Sequence, residues 1–113
     1  MERKEIRVYT KMNNMETNDI FVAIKNENVI KYIDLDNNIM KIDYQNDSIT
    51  RENKDYIFNI KLNENVIEIF VKKLRLKLNK DIETLLVKKA KKSYMVRYKL
   101  IDENEINEYY VNF

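Results

Sequence analysis

The sequence predicts an all-β protein, an antiparallel meander closing into a small up-and-down barrel of eight or nine strands. Three observations predict it. Apolar and polar residues alternate along most of the 113 residues, which is the period-two mark of strands with one buried face. The alternating runs are separated by short loops of Asn, Asp and Glu: Asn26-Glu27-Asn28, Asp36-Asn37-Asn38, Asn63-Glu64-Asn65 and Asp102-Glu103-Asn104. Glycine and proline are both absent, so left-handed turn positions fall to asparagine, whose short amide bonds the nearby main chain. A three-residue hairpin loop takes a type I turn followed by one left-handed residue, which puts Asn28, Asn38, Asn65 and Asn104 in that conformation. Closing the sheet removes exposed strand edges.

The elements follow in order. Ile6, Val8 and Met12 alternate with Arg7, Tyr9 and Lys11 as a half-buried first strand, and the polar run Asn13 to Thr17 ends it. Ile20 to Lys25 is apolar on both faces, as for a strand covered on both sides or lying at an interface. Val29 to Leu35 places Ile30 and Tyr32 on one face, and Ile39 to Gln45 does the same with Met40, Ile42 and Tyr44. Asn46 to Lys54 is the longest polar stretch and reads as a mobile loop pinned by Ile49. Tyr56, Phe58, Ile60 and Leu62 then alternate with Ile57, Asn59 and Lys61, before Val66 to Val71. The phase slips at Lys72-Lys73, implying a bulge, a bend or a strand break before Leu74, Leu76 and Leu78. Ile82 to Lys92 fits either a strand or a helix capped by Asp81; strand is the preferred reading. Tyr94, Val96, Tyr98 and Leu100 alternate cleanly, and Glu105 to Phe113 closes the chain. The pentapeptide Asn-Glu-Asn-Val-Ile occurs at 26–30 and at 63–67 and reads as one hairpin turn used twice.

Composition narrows the function. A chain of this length makes one domain, 1–113, with one core. It has no cysteine and no histidine, which removes disulfides, thiolate chemistry, the commonest metal ligand and the commonest general base. Neither an apolar span of bilayer length nor an apolar segment behind the charged start is present, so a cytoplasmic protein with no membrane contact is expected. Heavy use of Lys, Asn and Ile suggests an AT-rich bacterial genome. Ser48, Ser93 and the threonines lack an imidazole to activate them, and Asp34, Asp36 and Asp43 read as turn and outward carboxylates rather than as a paired acid and base. Asp34-Leu35-Asp36-Asn37-Asn38 lacks the glycine and distant glutamate of a calcium loop. No enzyme activity, metal or cofactor is expected.

Charge is unevenly placed. Residues 54–100 carry 13 Lys and Arg against 5 Asp and Glu, whereas residues 1–53 carry 8 against 10 and residues 101–113 carry none against 4. Lys72, Lys73, Arg75, Lys77, Lys88, Arg97 and Lys99 make a basic outer face expected to hold an anionic partner, nucleic acid included. The alternative is a small-molecule carrier or sensor. Tyr44, Tyr56, Phe58, Tyr94 and Tyr98 fall on the apolar phase of their strands and would line an amphipathic interior, or simply fill it. Ile20–Ile24 and the aromatic terminus leave a homo-oligomer open.

Lys41-Ile42-Asp43-Tyr44, the hairpin Asp55 to Val71, the run Leu74 to Leu100 ending in Arg97-Tyr98-Lys99-Leu100, and the closing Asn104 to Phe113 resemble a family of bacterial calycin-like β-barrels, lipocalin-shaped, cytoplasmic and of uncharacterised function. The resemblance implies a calycin-like barrel. Family members carry glycines and a further aromatic-containing segment after the strand equivalent to Val66–Val71, so it also implies a barrel here that is shorter, or open.

Overall fold

The computed structural model describes residues 1–113. The strands are β1 (Glu2–Met12), β2 (Met15–Asn26), β3 (Val29–Ile33), β4 (Ile39–Asp43), β5 (Ser48–Glu52), β6 (Tyr56–Lys61), β7 (Val66–Val71), β8 (Leu76–Ala90), β9 (Ser93–Leu100) and β10 (Glu105–Asn112), with one 3-10 turn at Leu62–Glu64. Every strand pairs antiparallel with its sequence neighbours, and β1 pairs with β10, so the ten strands form a closed barrel, although β2 meets β3 only over Ile24–Asn26. No helix is long and apolar enough to cross a membrane.

The count is ten rather than eight or nine because the expected mobile loop at 46–54 holds a strand. Ile49 is fully buried and stands opposite Ile42 on β4 and Ile60 on β6. That single apolar anchor, with ladder bonds on both sides, outweighs the polar composition around it. One other expectation changes similarly. The break at Asn13 to Thr17 shrinks to the two-residue turn Asn13-Asn14, both left-handed, and β2 starts at Met15. The segment 82–92 is extended rather than helical as far as Ala90, and 76–90 is one long strand. The slip at Lys72-Lys73 is a strand break, a turn with Arg75 left-handed, while the bulge lies later, between Thr84 and Leu86. The barrel is closed, so the open form is ruled out.

Turn chemistry follows asparagine closely, though not at every expected position. Of eight residues with positive φ, six are Asn or Asp: Asn13, Asn14, Asn37, Asp47, Asn65 and Asn104. Asn65 and Asn104 adopt the expected left-handed backbone, whereas Glu27 and Asn37 take it in place of Asn28 and Asn38. The repeated pentapeptide therefore makes two different turns. At 26–30, Asn26 pairs with Val29 across a two-residue loop. At 63–67, Lys61 pairs with Val66 across a longer loop that coils into the 3-10 turn and ends at left-handed Asn65. Strand register decides the turn, not the five residues.

The inward face carries the core, including Ile6, Val8, Ile30, Ile42, Ile49, Ile60, Ile82, Val96 and Val111. Outward residues are largely charged. Apolar side chains also face outward: on β2, Ile20, Val22 and Ile24 are half exposed while Ala23 on the other face is buried, and Ile33, Leu76, Leu78, Leu85 and Ile106 are exposed on other strands. The expected double coverage of the β2 segment is absent within one chain.

Candidate functional site

An up-and-down barrel sorts its turns to two ends. The turns at 13–14, 34–38, 53–55, 72–75 and 101–104 lie at one end, here the upper end. The turns at 27–28, 44–47, 62–65 and 91–92, with both termini, lie at the lower end. The two ends are built differently inside.

The lower end is packed and satisfied. The buried Tyr94 hydroxyl donates to Asp47 Oδ1 at 2.9 Å, and Lys89 Nζ lies 3.1 Å from the same oxygen. Burial first, then the bond to Asp47, raises the Tyr94 pKa far above its ordinary value. The Tyr44 ring lies 5.1 Å from Phe113 and 6.2 Å from Tyr94, and its hydroxyl donates to the Glu27 carbonyl at 3.3 Å. The Leu62 amide donates to the Asp47 carbonyl at 3.0 Å, and Thr84 Oγ1 donates to the Leu62 carbonyl at 2.7 Å. No buried side-chain polar atom is left without a partner at this end.

The upper end is hollow. A cavity of about 180 Å³ is lined by Val8, Phe21, Tyr32, Met40 and the rim carboxylates Asp19, Asp34 and Asp36, among others. A second, of about 240 Å³, is lined chiefly by Phe58, Ile60, Ile67, Ile69, Tyr98 and Leu100, with Lys80, Glu105 and Asn107. Met12, Arg51 and Tyr109 line both, so these three side chains partition one chamber.

Arg51 points inward because β5 alternates strictly. Ile49 is inside, and Arg51 follows two residues later opposite Met40 and Phe58. Its guanidinium carbon sits 4.6 Å from the Phe58 ring centroid, a cation–π contact that covers one face and leaves the N–H edge free. No carboxylate lies within ion-pair distance of it. Two carboxylates of the cavity walls are held elsewhere. Asp34 accepts from the Asp36 and Asn38 amides at 2.9 Å each and from Asn38 Nδ2 at 3.0 Å, and Glu103 pairs with Lys80.

Asn107 is 6% exposed, and its Oδ1 has no hydrogen-bond partner in the protein, while its Nδ2 donates to the Tyr98 hydroxyl at 3.4 Å. A buried acceptor left unpaired costs roughly 1–3 kcal/mol. The Tyr32 and Tyr109 hydroxyls make no bond within the chain; those that do belong to Tyr44 and Tyr94 as donors and Tyr98 as acceptor. Burial is the main cause raising the pKa of Tyr32, Tyr98 and Tyr109, with Asp34 adding at Tyr32 and Arg51 opposing at the other two. All three therefore stay protonated and able to donate at neutral pH.

The residues expected from sequence fall as follows. Tyr98 and Phe58 line the chamber, and Tyr56 lies half exposed, its ring 5.7 Å from that of Phe58. Tyr44 and Tyr94 belong to the packed lower end, so the five aromatics are not brought together. The basic set is also divided. Lys72, Lys73 and Arg75 occupy the β7–β8 turn at the upper end, Lys88 sits near the lower end of β8, and Lys77, Arg97 and Lys99 lie along β8 and β9. Lys72 pairs with Glu52 at 2.7 Å, Lys77 with Glu68 at 3.2 Å and Arg97 with Glu108 at 2.8 Å, and Lys99 stands opposite Glu83. Glu68 also meets Lys61 at 3.0 Å, and the bonds from Lys61 and then Lys77 hold its carboxyl below the usual range.

Arg51, Asn107, Tyr32 and Tyr109 were not singled out by sequence. Alternation carries the signal, since Arg51 shares its phase with Ile49, and Asn107 shares its phase with Tyr109 and Val111.

A closed ten-stranded meander barrel with a polar, aromatic-lined chamber at one end describes a class of architecture. No family model matches the chain, and no curated protein or solved structure is significantly similar to it.

Proposed function

We propose that the protein is a non-enzymatic barrel that binds a small molecule in its upper chamber, as a carrier or sensor. The observation that carries this reading is Arg51, an inward-facing guanidinium with no carboxylate partner, at the junction of two cavities. Pocket cations are usually paired with something, because an unpaired charge away from water is costly. Apolar walls with a few convergent polar groups are the usual make-up of small-ligand sites. The basic outer face carries less, because Lys72, Lys77 and Arg97 already face Glu52, Glu68 and Glu108. The closed meander and its residue pattern support kinship with the calycin-like barrels.

The test is native mass spectrometry of the protein purified from a bacterial host. A retained small mass in the wild type that is lost in a folded Arg51→Gln variant is the expected result. A bare chain, or a retained mass that Arg51→Gln leaves in place, would count against it.

A further inference from the structure

The larger cavity names the chemistry of its ligand. Its charged and polar groups are one cation without a partner, Arg51; one carboxylate without a cationic partner, Glu105; one ion pair, Lys80 with Glu103; one buried acceptor without a donor, Asn107 Oδ1; and the hydroxyls of Tyr98 and Tyr109. The Asn13 side-chain amide, once turned over, donates to Glu105 but brings no charge. Glu105 and Asn107 are two residues apart on β10, so both project to the inside of the barrel, and they face Leu100 and Tyr98 across the ladder. Opposite them, Arg51 offers the free edge of its guanidinium, stacked on Phe58. Between these poles the wall is apolar: Phe58, Ile60, Ile67, Ile69 and Leu100.

A simple anion satisfies Arg51 but is repelled by Glu105 and leaves Asn107 Oδ1 without a donor. A simple amine satisfies Glu105 and Asn107 but leaves Arg51 alone. A molecule with both groups meets all three. The 240 Å³ volume holds about eight waters at roughly 30 Å³ each, so the ligand is small. We infer that the chamber takes a small zwitterion of the amino-acid class with an apolar side group. The carboxylate lies along the Arg51 edge as a two-bond pair, the geometry a guanidinium recognises best. The ammonium donates to Asn107 Oδ1 and faces Glu105. The side group packs against Ile60, Ile67, Ile69 and Leu100. The rim carboxylates Asp19 and Asp36 further disfavour ligands with net negative charge.

This inference rests on the small-ligand reading above, and the experiment separates the two. L-leucine, isocaproic acid (the same skeleton without the amine) and isoamylamine (without the carboxyl) are titrated calorimetrically into the protein at neutral pH. L-leucine is expected to bind at least about tenfold more tightly than either analogue, one decade per lost charged contact. Arg51→Gln is expected to abolish its advantage over isoamylamine, and Glu105→Gln its advantage over isocaproic acid. Far-ultraviolet circular dichroism checks that each variant is folded. Isocaproic acid binding as tightly as L-leucine, with Glu105→Gln silent, would overturn the zwitterion and leave an acid-binding chamber. No response to any probe, together with a retained mass in the native spectrum, would overturn the zwitterion and leave the small-ligand reading standing. No response and a bare native mass would overturn both.

Discussion

Truncating one hydroxyl at each end of the barrel tests the difference between them. Tyr94→Phe removes the donor to Asp47 Oδ1, a 2.9 Å bond to a carboxylate on a residue only 8% exposed. Lys89 remains at 3.1 Å, but its side chain is 44% exposed and well hydrated, so it compensates little. A hydrogen bond to a charged group contributes roughly 1.5–3 kcal/mol. Tyr109→Phe removes a hydroxyl that bonds nothing in the chain and is not sealed off from the chamber, so its loss should cost less than about 0.5 kcal/mol. Urea unfolding followed by circular dichroism reads both. With a slope of about 1.5 kcal/mol per molar urea, Tyr94→Phe should lower the midpoint by about 1–2 M and Tyr109→Phe by less than about 0.3 M. Equal losses at the two positions would refute the division into a satisfied end and an unsatisfied one.

Three further outcomes follow from the same structure. Tyr32, Tyr94, Tyr98 and Tyr109 are all held protonated by burial, so the unfolded chain releases protons above pH ~10 that the folded one keeps. Their contribution is complete below that pH and is lost as pH rises, by about 1.4 kcal/mol per unit for each tyrosine; half of the eight tyrosines should ionise only as circular dichroism is lost, and all eight ionising near pH ~10 with the fold intact would contradict this. Ile49→Ala should cost about 2–5 kcal/mol in thermal or urea unfolding, as for a filled core site; a loss under about 0.5 kcal/mol would return 46–54 to a loop. Glu68 is held below its ordinary pKa by Lys61 and Lys77, so its stabilisation is present above pH ~4.5 and lost as pH falls; Glu68→Gln should flatten the acid limb of stability against pH, and an unchanged limb would contradict the pairing.

Much of the barrel was legible because alternation survives wherever a strand has two or more apolar inward positions. β9 shows Tyr94, Val96, Tyr98 and Leu100 buried on one phase, as the pattern demands. β5 was hidden because its inward positions are Ile49 and Arg51, and one of the two is charged. The same residue explains why the chamber was hidden: an arginine inside a barrel looks, in sequence, like any arginine in a polar run. Tyr98 and Phe58 were placed correctly by phase, but phase does not say at which end a side chain lies, so Tyr44 and Tyr94 were grouped with them. The basic residues were visible as a charge excess, yet their partners Glu52, Glu68 and Glu108 come from other strands and emerge only with register. The two copies of Asn-Glu-Asn-Val-Ile make the general point, since pairing of the flanking strands set two different turns on identical residues.

The most direct test of the upper chamber is a two-dimensional nuclear magnetic resonance titration of isotopically labelled protein with a library of small polar and apolar molecules. Saturable shifts are predicted at Thr10, Met12, Tyr32, Arg51, Asn107 and Tyr109, with Asp47 and Tyr94 at the lower end unmoved. Saturable shifts confined to the outer face at Lys73, Arg75 and Lys99, or none anywhere, would contradict it.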